Sequence, residues 1–142
     1  MQKLELLGYF VELDSITTQN WYSQAGEWSC NCMHCRIFLE NAKQKALPEQ
    51  ILQLLKQLGI PPEKATYVCE LYTDDTGIHY QFSYRISGRI IASQQETINW
   101  GRCCHEPYPY CAPNFPEPHF DLEFYITLPL PCEESDNKVI LR

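Results

Sequence analysis

Hydrophobic and polar positions change period several times along the chain, and each change marks an element. Phe120, Leu122, Phe124, Ile126 and Leu128 alternate with Asp121, Glu123, Tyr125 and Thr127, the two-residue period of a strand with one buried and one solvated face. Upstream, "ATYVCELYT" (65–73) and "HYQFSYRI" (79–86) flank the turn Asp74-Asp75-Thr76-Gly77, which predicts an antiparallel hairpin. Ser87-Gly88 would bend the second arm before Arg89-Ile90-Ile91 extends it. The short aromatic and branched run "YFVEL" (9–13) reads as a further strand.

A helical period follows Pro48, where Ile51, Leu52, Leu54, Leu55 and Leu58 form one apolar stripe. Pro48 suits a helix start, Glu49 favours its positive end, Gly59 is a stop signal, and Pro61-Pro62 block continuation. Residues 35–46 lack Gly and Pro and are compatible with a second helix just before it. Two segments carry no clear period. Residues 17–29, with Trp21, Tyr22 and Trp28, read as a loop whose rings pack onto the domain. Residues 101–118, "GRCCHEPYPYCAPNFPEP", contain five prolines and read as an irregular Pro/Cys-rich loop. Residues 133–142 read as a loose acidic and polar tail. The order of elements predicts one α+β domain over residues 1–142. Its antiparallel sheet would be built from 9–13, 65–73, 79–91 and 119–128 and covered on one face by a helix pair.

Composition agrees with a single core: 142 residues, 44% hydrophobic and 20% charged, suffice to bury most of the apolar surface of an unfolded chain. Eleven Lys plus Arg against eighteen Asp plus Glu give a net charge of −7 without any basic run, so a nucleic-acid partner is not expected. The opening "MQKLELLGYFVELDS" lacks a secretory pattern and no later stretch has the apolar length of a membrane span. A cytoplasmic location and no membrane partner are therefore expected, and in that reducing compartment eight cysteines point to free thiols, metal ligands or redox groups. In a secreted protein the same eight would suggest four bridges.

The densest chemistry lies in "SCNCMHCRIF" (29–38), three thiols and an imidazole within six positions. Closely spaced cysteines on a turn can aim two or three sulfurs at one point, so a zinc site from Cys30, Cys32 and Cys35 is the first functional reading. Its fourth ligand would come from the second cluster, Cys103, Cys104, His105 and Cys111, with Cys104 as the chosen candidate; His34 is disfavoured because its ring competes with its neighbours for space. The second functional reading is thiol redox chemistry by Cys32 and Cys35, because a helix opening there would stabilise the Cys32 thiolate. Against both stands core packing, since Cys is a small, often buried hydrophobe, and Cys35 and Cys69 fit that role. His79 and His119 have no positioned Asp and nucleophile visible in sequence. Asp121 and Glu123 read as a solvated strand face, and Asp74 and Asp75 as turn formers. No phosphate-cradling glycine loop, nucleophile elbow or HExxH helix is present.

The order of these motifs resembles a family of small, functionally uncharacterised bacterial proteins found mainly among Firmicutes. The family pattern is a Trp, a Cys-x-x-Cys followed by Arg-Asn-Phe, a helix ending Leu-Gly-Ile-Asp-Pro, and an aromatic hairpin. The resemblance covers about 110 residues. Here Trp28, Cys32, Cys35, Arg36, Phe38 and Gly59-Ile60 match, whereas Ile37 stands for Asn, Pro61 for Asp, and Leu130-Pro131 for Pro-Trp. It implies a shared scaffold and supplies no reaction.

Taken together, the residues predict a small non-enzymatic binding or interaction domain, with a structural zinc as its candidate cofactor and an unidentified protein or small ligand as its partner. The alternative is a thiol-disulfide protein or redox sensor using Cys32 and Cys35. Rigid aromatics place the contact surface where Trp21 and Trp28 meet Tyr108 and Tyr110 of the Pro-rich loop.

Overall fold

A computed structural model describes residues 1–105 and 111–131. Among these residues six strands form one antiparallel sheet: β1 (Gln2–Leu6), β2 (Tyr9–Leu13), β3 (Tyr67–Asp74), β4 (Gly77–Ala92), β5 (Gly101–Cys104) and β6 (His119–Leu128). Three helices accompany it, α1 (Ser15–Gln24), α2 (Met33–Lys43) and α3 (Glu49–Leu58), with a 3₁₀ turn at Pro62–Lys64. The strand order is β1-β2-β4-β6-β5, with β3 also paired to β4, so the architecture is α+β as the sequence predicts. Among the described residues no helix is long and apolar enough to cross a membrane.

The long strand β4 organises the sheet. One of its edges pairs with β6 along its whole length, from Ile78 opposite Leu128 to Ser87 opposite His119. This places Tyr80, Phe82, Tyr84 and Ile86 beside Ile126, Phe124, Leu122 and Phe120 on one face, nearly all without solvent exposure. Phe38 of α2 packs on that face, its ring 4.8 Å from Phe82 and 5.7 Å from Tyr80. The Tyr84 hydroxyl donates to the Pro62 carbonyl at 2.6 Å and so fastens the 3₁₀ turn to the same face. In α3, Ile51, Leu55 and Leu58 are buried, and Gly59 closes the helix in the left-handed conformation at φ 74°.

The other edge of β4 serves two partners in turn, β3 as far as Ser83 and β2 from Gly88 onward. The backbone groups between them would be left open in a sheet, and α1 with its flanks satisfies them. Thr66 N–H donates to the Ser83 carbonyl (2.8 Å) and the Tyr22 hydroxyl to the Arg85 carbonyl (2.8 Å). Ser87 N–H donates to Thr18 Oγ1 (3.0 Å), and Asp14 N–H to the Ser87 carbonyl (2.9 Å). The switch between partners occurs at Gly88, whose φ of 142° suits glycine and where a Cβ would collide with the Glu12 carbonyl.

Several expectations are corrected. Residues 17–29 are not a loop: α1 occupies most of that segment, capped by Asp14, whose Oδ1 accepts from Thr17 N–H at 3.0 Å. The helix is mostly polar, exposes Ile16 and buries only Thr18 and Tyr22, so it leaves no apolar stripe to read. A third helix thus joins the two expected, and it serves an open edge of β4. The Pro-rich stretch contains a strand, β5, at its start, and a strand β1 precedes the first one expected. β1 and β2 meet in a two-residue turn with Leu7 at φ 53° and Gly8 at φ 84°. Finally, Asp121 and Glu123 are buried and not solvated. Arg85 Nε meets Asp121 Oδ1 at 3.0 Å, with both side chains only 3% exposed. Glu123 accepts from Arg102 Nε (2.7 Å), the Tyr125 hydroxyl (2.7 Å) and Gln81 Nε2 (2.5 Å). The second face of β6 therefore carries two buried carboxylates paired with Arg85 and Arg102, which a two-residue hydropathy period reports as solvated.

Candidate metal centre

Helix α2 creates the site. Cys32 is its N-cap, with extended backbone, and its sulfur accepts the Cys35 N–H at 3.4 Å while its carbonyl accepts the Arg36 N–H at 3.0 Å. The capping side chain folds over the first turn and so brings the Cys32 sulfur to Cys35. The sulfurs of all three lie within 4.8 Å of one another, Cys30 and Cys32 exposed and Cys35 buried. A tetrahedral zinc with Zn–S bonds near 2.3 Å needs sulfurs about 3.8 Å apart. Small rotations of exposed side chains cover that difference, so these sulfurs could supply three of a metal ion's ligands.

Different surroundings separate the thiols chemically. The Cys35 amide, with help from Cys30 and the opening turn of α2, holds the Cys32 thiol below its ordinary pKa. Burial pushes the Cys35 thiol up to about 12, against a smaller opposing effect of the Trp28 side chain beside it. Around the cluster the protein is firmly tied. Trp28 N–H donates to the Glu63 carbonyl (2.9 Å) and its ring meets Tyr67 edge-on at 6.5 Å. The Tyr80 hydroxyl donates to the His34 carbonyl at 2.6 Å. The His34 imidazole itself points toward Glu70 (4.0 Å) and is not one of the group.

Cys104, expected as the fourth ligand, stands elsewhere. It ends β5 opposite Asp121, close enough to Tyr9 to influence its hydroxyl, and it is not among the gathered sulfurs. The reach from the first cysteine cluster to Cys104 does not close because β5 pairs with β6 on the far side of β4 from β3. Cys103 is buried on β5 with its thiol 3.7 Å from the Leu6 carbonyl, and Cys111 lies near Arg85 and Asp121. Cys69 is half-buried on β3, its thiol directed to the neighbouring Glu70 carbonyl at 3.6 Å.

The aromatic segment and the Pro-rich segment do meet. Trp21 Nε1 donates to the Pro113 carbonyl (3.2 Å), and its ring lies 5.0 Å from both Tyr22 and Phe115. Beside this junction is a cavity of about 380 Å³ lined by Trp21, Trp28, Lys64, Thr66, Cys111 and Pro113. Trp21 is thus a fastening between α1 and the loop as well as part of a wall. Tyr108 and Tyr110 lie outside the described residues. A larger recess of about 770 Å³, between β1 and α3, is lined by residues such as Leu6, Leu54 and Trp100 and includes no thiol.

One arrangement escaped the sequence. His79 Nε2 meets Asp74 Oδ1 at 3.0 Å, and His79 Nδ1 meets Thr127 Oγ1 at 2.9 Å, an acid–imidazole–hydroxyl chain. Its members come from the hairpin turn, β4 and β6, and only strand register could have brought them together. Asp74 and Thr127 are exposed, and Asp74 also accepts from Thr76 N–H and Oγ1. The cluster therefore acts as a clasp on the β3–β4 turn. His119 packs against Phe115 with its Nδ1 buried and without a partner among the described residues.

Comparison of the chain with protein-family models, curated proteins and solved structures gave no match. The resemblance to the Firmicutes family rests on the sequence pattern alone.

Proposed function

We propose that this protein is a small binding domain that holds one thiophilic divalent metal ion, zinc in the cell, on Cys30, Cys32 and Cys35. The observation that carries the reading is the gathering of three sulfurs within 4.8 Å at the start of one helix. Core packing does not account for it, because Cys30 and Cys32 are exposed. The metal would lock segment 25–35 against α2 and thereby stiffen the wall that Trp28 contributes to the neighbouring cavity. A non-enzymatic role in a cytoplasmic setting is part of the same proposal.

The test is titration with Co(II), whose thiolate complexes show sulfur-to-metal charge transfer in the near ultraviolet. Binding at one equivalent, weakened in each of Cys30→Ser, Cys32→Ser and Cys35→Ser and unchanged in Cys69→Ser, is the expected result. A spectrum that survives all three changes would refute the site.

A second reading has its own observation. Cys32 is exposed, caps α2 and has its thiol pKa lowered, while Cys35 is buried within reach. An accessible attacking thiol backed by a shielded one is the arrangement needed for disulfide exchange. Selective alkylation of Cys32 in the metal-free protein, coupled with failure to bind Co(II), would favour this reading.

A further inference from the structure

The Trp28 indole poses an unsolved problem in the protein on its own. Its Nε1 atom is buried, yet it has no hydrogen-bond partner among the described residues. Buried donors are rarely left so, because burial removes the water that would otherwise serve them. Its backbone N–H is bonded to the Glu63 carbonyl and its ring meets Tyr67 edge-on. The Trp28 side chain stands close enough to the Cys35 sulfur to influence its ionisation.

A neutral thiol is a weak acceptor and a thiolate a strong one. Metal binding requires the sulfurs as thiolates, and a thiolate bonded to a metal keeps lone pairs for a donor. Exposed Cys30 can draw such donors from water. Cys32 receives the Cys35 N–H. Only Cys35, buried on the first turn of α2, needs a donor that the protein itself must supply.

We infer that Trp28 is a positioning residue of the metal site: its indole N–H donates to Cys35 Sγ when the three sulfurs hold an ion. This rests on the metal-binding reading above and deepens it. The same contact solves both difficulties, giving the buried N–H an acceptor and the buried sulfur a donor. Outer hydrogen bonds to metal ligands orient them and raise affinity, and their loss typically costs about 10- to 100-fold.

The experiment uses the whole chain, labelled with 15N and titrated with 113Cd(II). The three tryptophans, Trp21, Trp28 and Trp100, give separate indole signals, with that of Trp28 identified by its loss in Trp28→Phe. At one equivalent of 113Cd(II) the Trp28 indole proton should move downfield and split by coupling to cadmium through the N–H···S bond, while those of Trp21 and Trp100 stay. Trp28→Phe, checked for an unchanged far-ultraviolet circular dichroism spectrum, should bind Cd(II) about 10- to 100-fold more weakly. Cadmium binding with an unmoved, uncoupled Trp28 indole would overturn the role of Trp28 and leave the metal site standing. Absence of sulfur-to-cadmium charge transfer at any loading would overturn the metal site, and this inference with it.

Discussion

The ionic layer on the second face of the sheet allows a sharp energetic test through Arg85→Met. Arg85 and Asp121 are each 3% exposed and joined at 3.0 Å. Methionine keeps most of the volume and removes the charge, so the Asp121 carboxylate is left buried without its cation. Breaking a buried pair this way typically costs about 3–5 kcal/mol, whereas replacing both partners by apolar groups is close to neutral. For a domain of this size about 1 kcal/mol corresponds to roughly 2–4 °C in Tm. Urea unfolding at pH 7 should therefore show a loss of about 3–5 kcal/mol for Arg85→Met. Much of it should be recovered in Arg85→Met/Asp121→Leu.

The pH dependence follows in sign. Burial already holds the Asp121 pKa above its ordinary value in spite of Arg85. An acid with a raised folded-state pKa binds more protons when folded, so stability falls as pH rises from the ordinary carboxylate pKa through the raised one. Without Arg85 the raised value climbs further, and the deficit of the single variant should shrink as pH falls toward the ordinary carboxylate range. A loss below about 1 kcal/mol at pH 7, or a double variant no more stable than the single one, would refute a desolvated pair.

Other expectations follow from the same geometry. Gly88→Ala places a Cβ against the Glu12 carbonyl in a backbone region reserved for glycine; the backbone conformation alone should cost about 1–3 kcal/mol, read as a lowered urea midpoint. Cys32→Ala removes the cap of α2 and should cost about 1 kcal/mol in metal-free protein, while Cys32→Ser should restore it, both measured by thermal unfolding. Asp74, held down to about 2 by Thr76 and His79, lends stability that is fully present above the ordinary carboxylate pKa and is lost as pH falls from there through about 2. An NMR titration of its carboxyl carbon with a midpoint near the ordinary value would contradict the clasp.

Much of the fold was legible because its core positions keep a period. The alternation from Phe120 to Leu128, the arms around Asp74-Gly77 and the stripe from Ile51 to Leu58 fall where β6, the β3–β4 hairpin and α3 stand. α1 was not legible because it works by hydrogen bonds from Thr18 and Tyr22 to an open strand edge and not by an apolar stripe. Its one readable trace is the capping pattern of Asp14 with Thr17. Asp121 and Glu123 misled for a related reason: a charged residue looks solvated until its partners, here Arg85 and Arg102, are seen beside it. At the site, the three sulfurs of "CNCMHC" could be paired from spacing, because local turns bring near neighbours together. The position of Cys104 could not be, since it depends on which edge of β4 each later strand takes.

The most direct test of the central claim is mass spectrometry of the protein under native and denaturing conditions, combined with counting of alkylatable thiols. One zinc per chain, lost on unfolding and protecting Cys30, Cys32 and Cys35 from alkylation until then, is the predicted result. A native mass without metal after incubation with zinc, and those three thiols open to alkylation throughout, would contradict it.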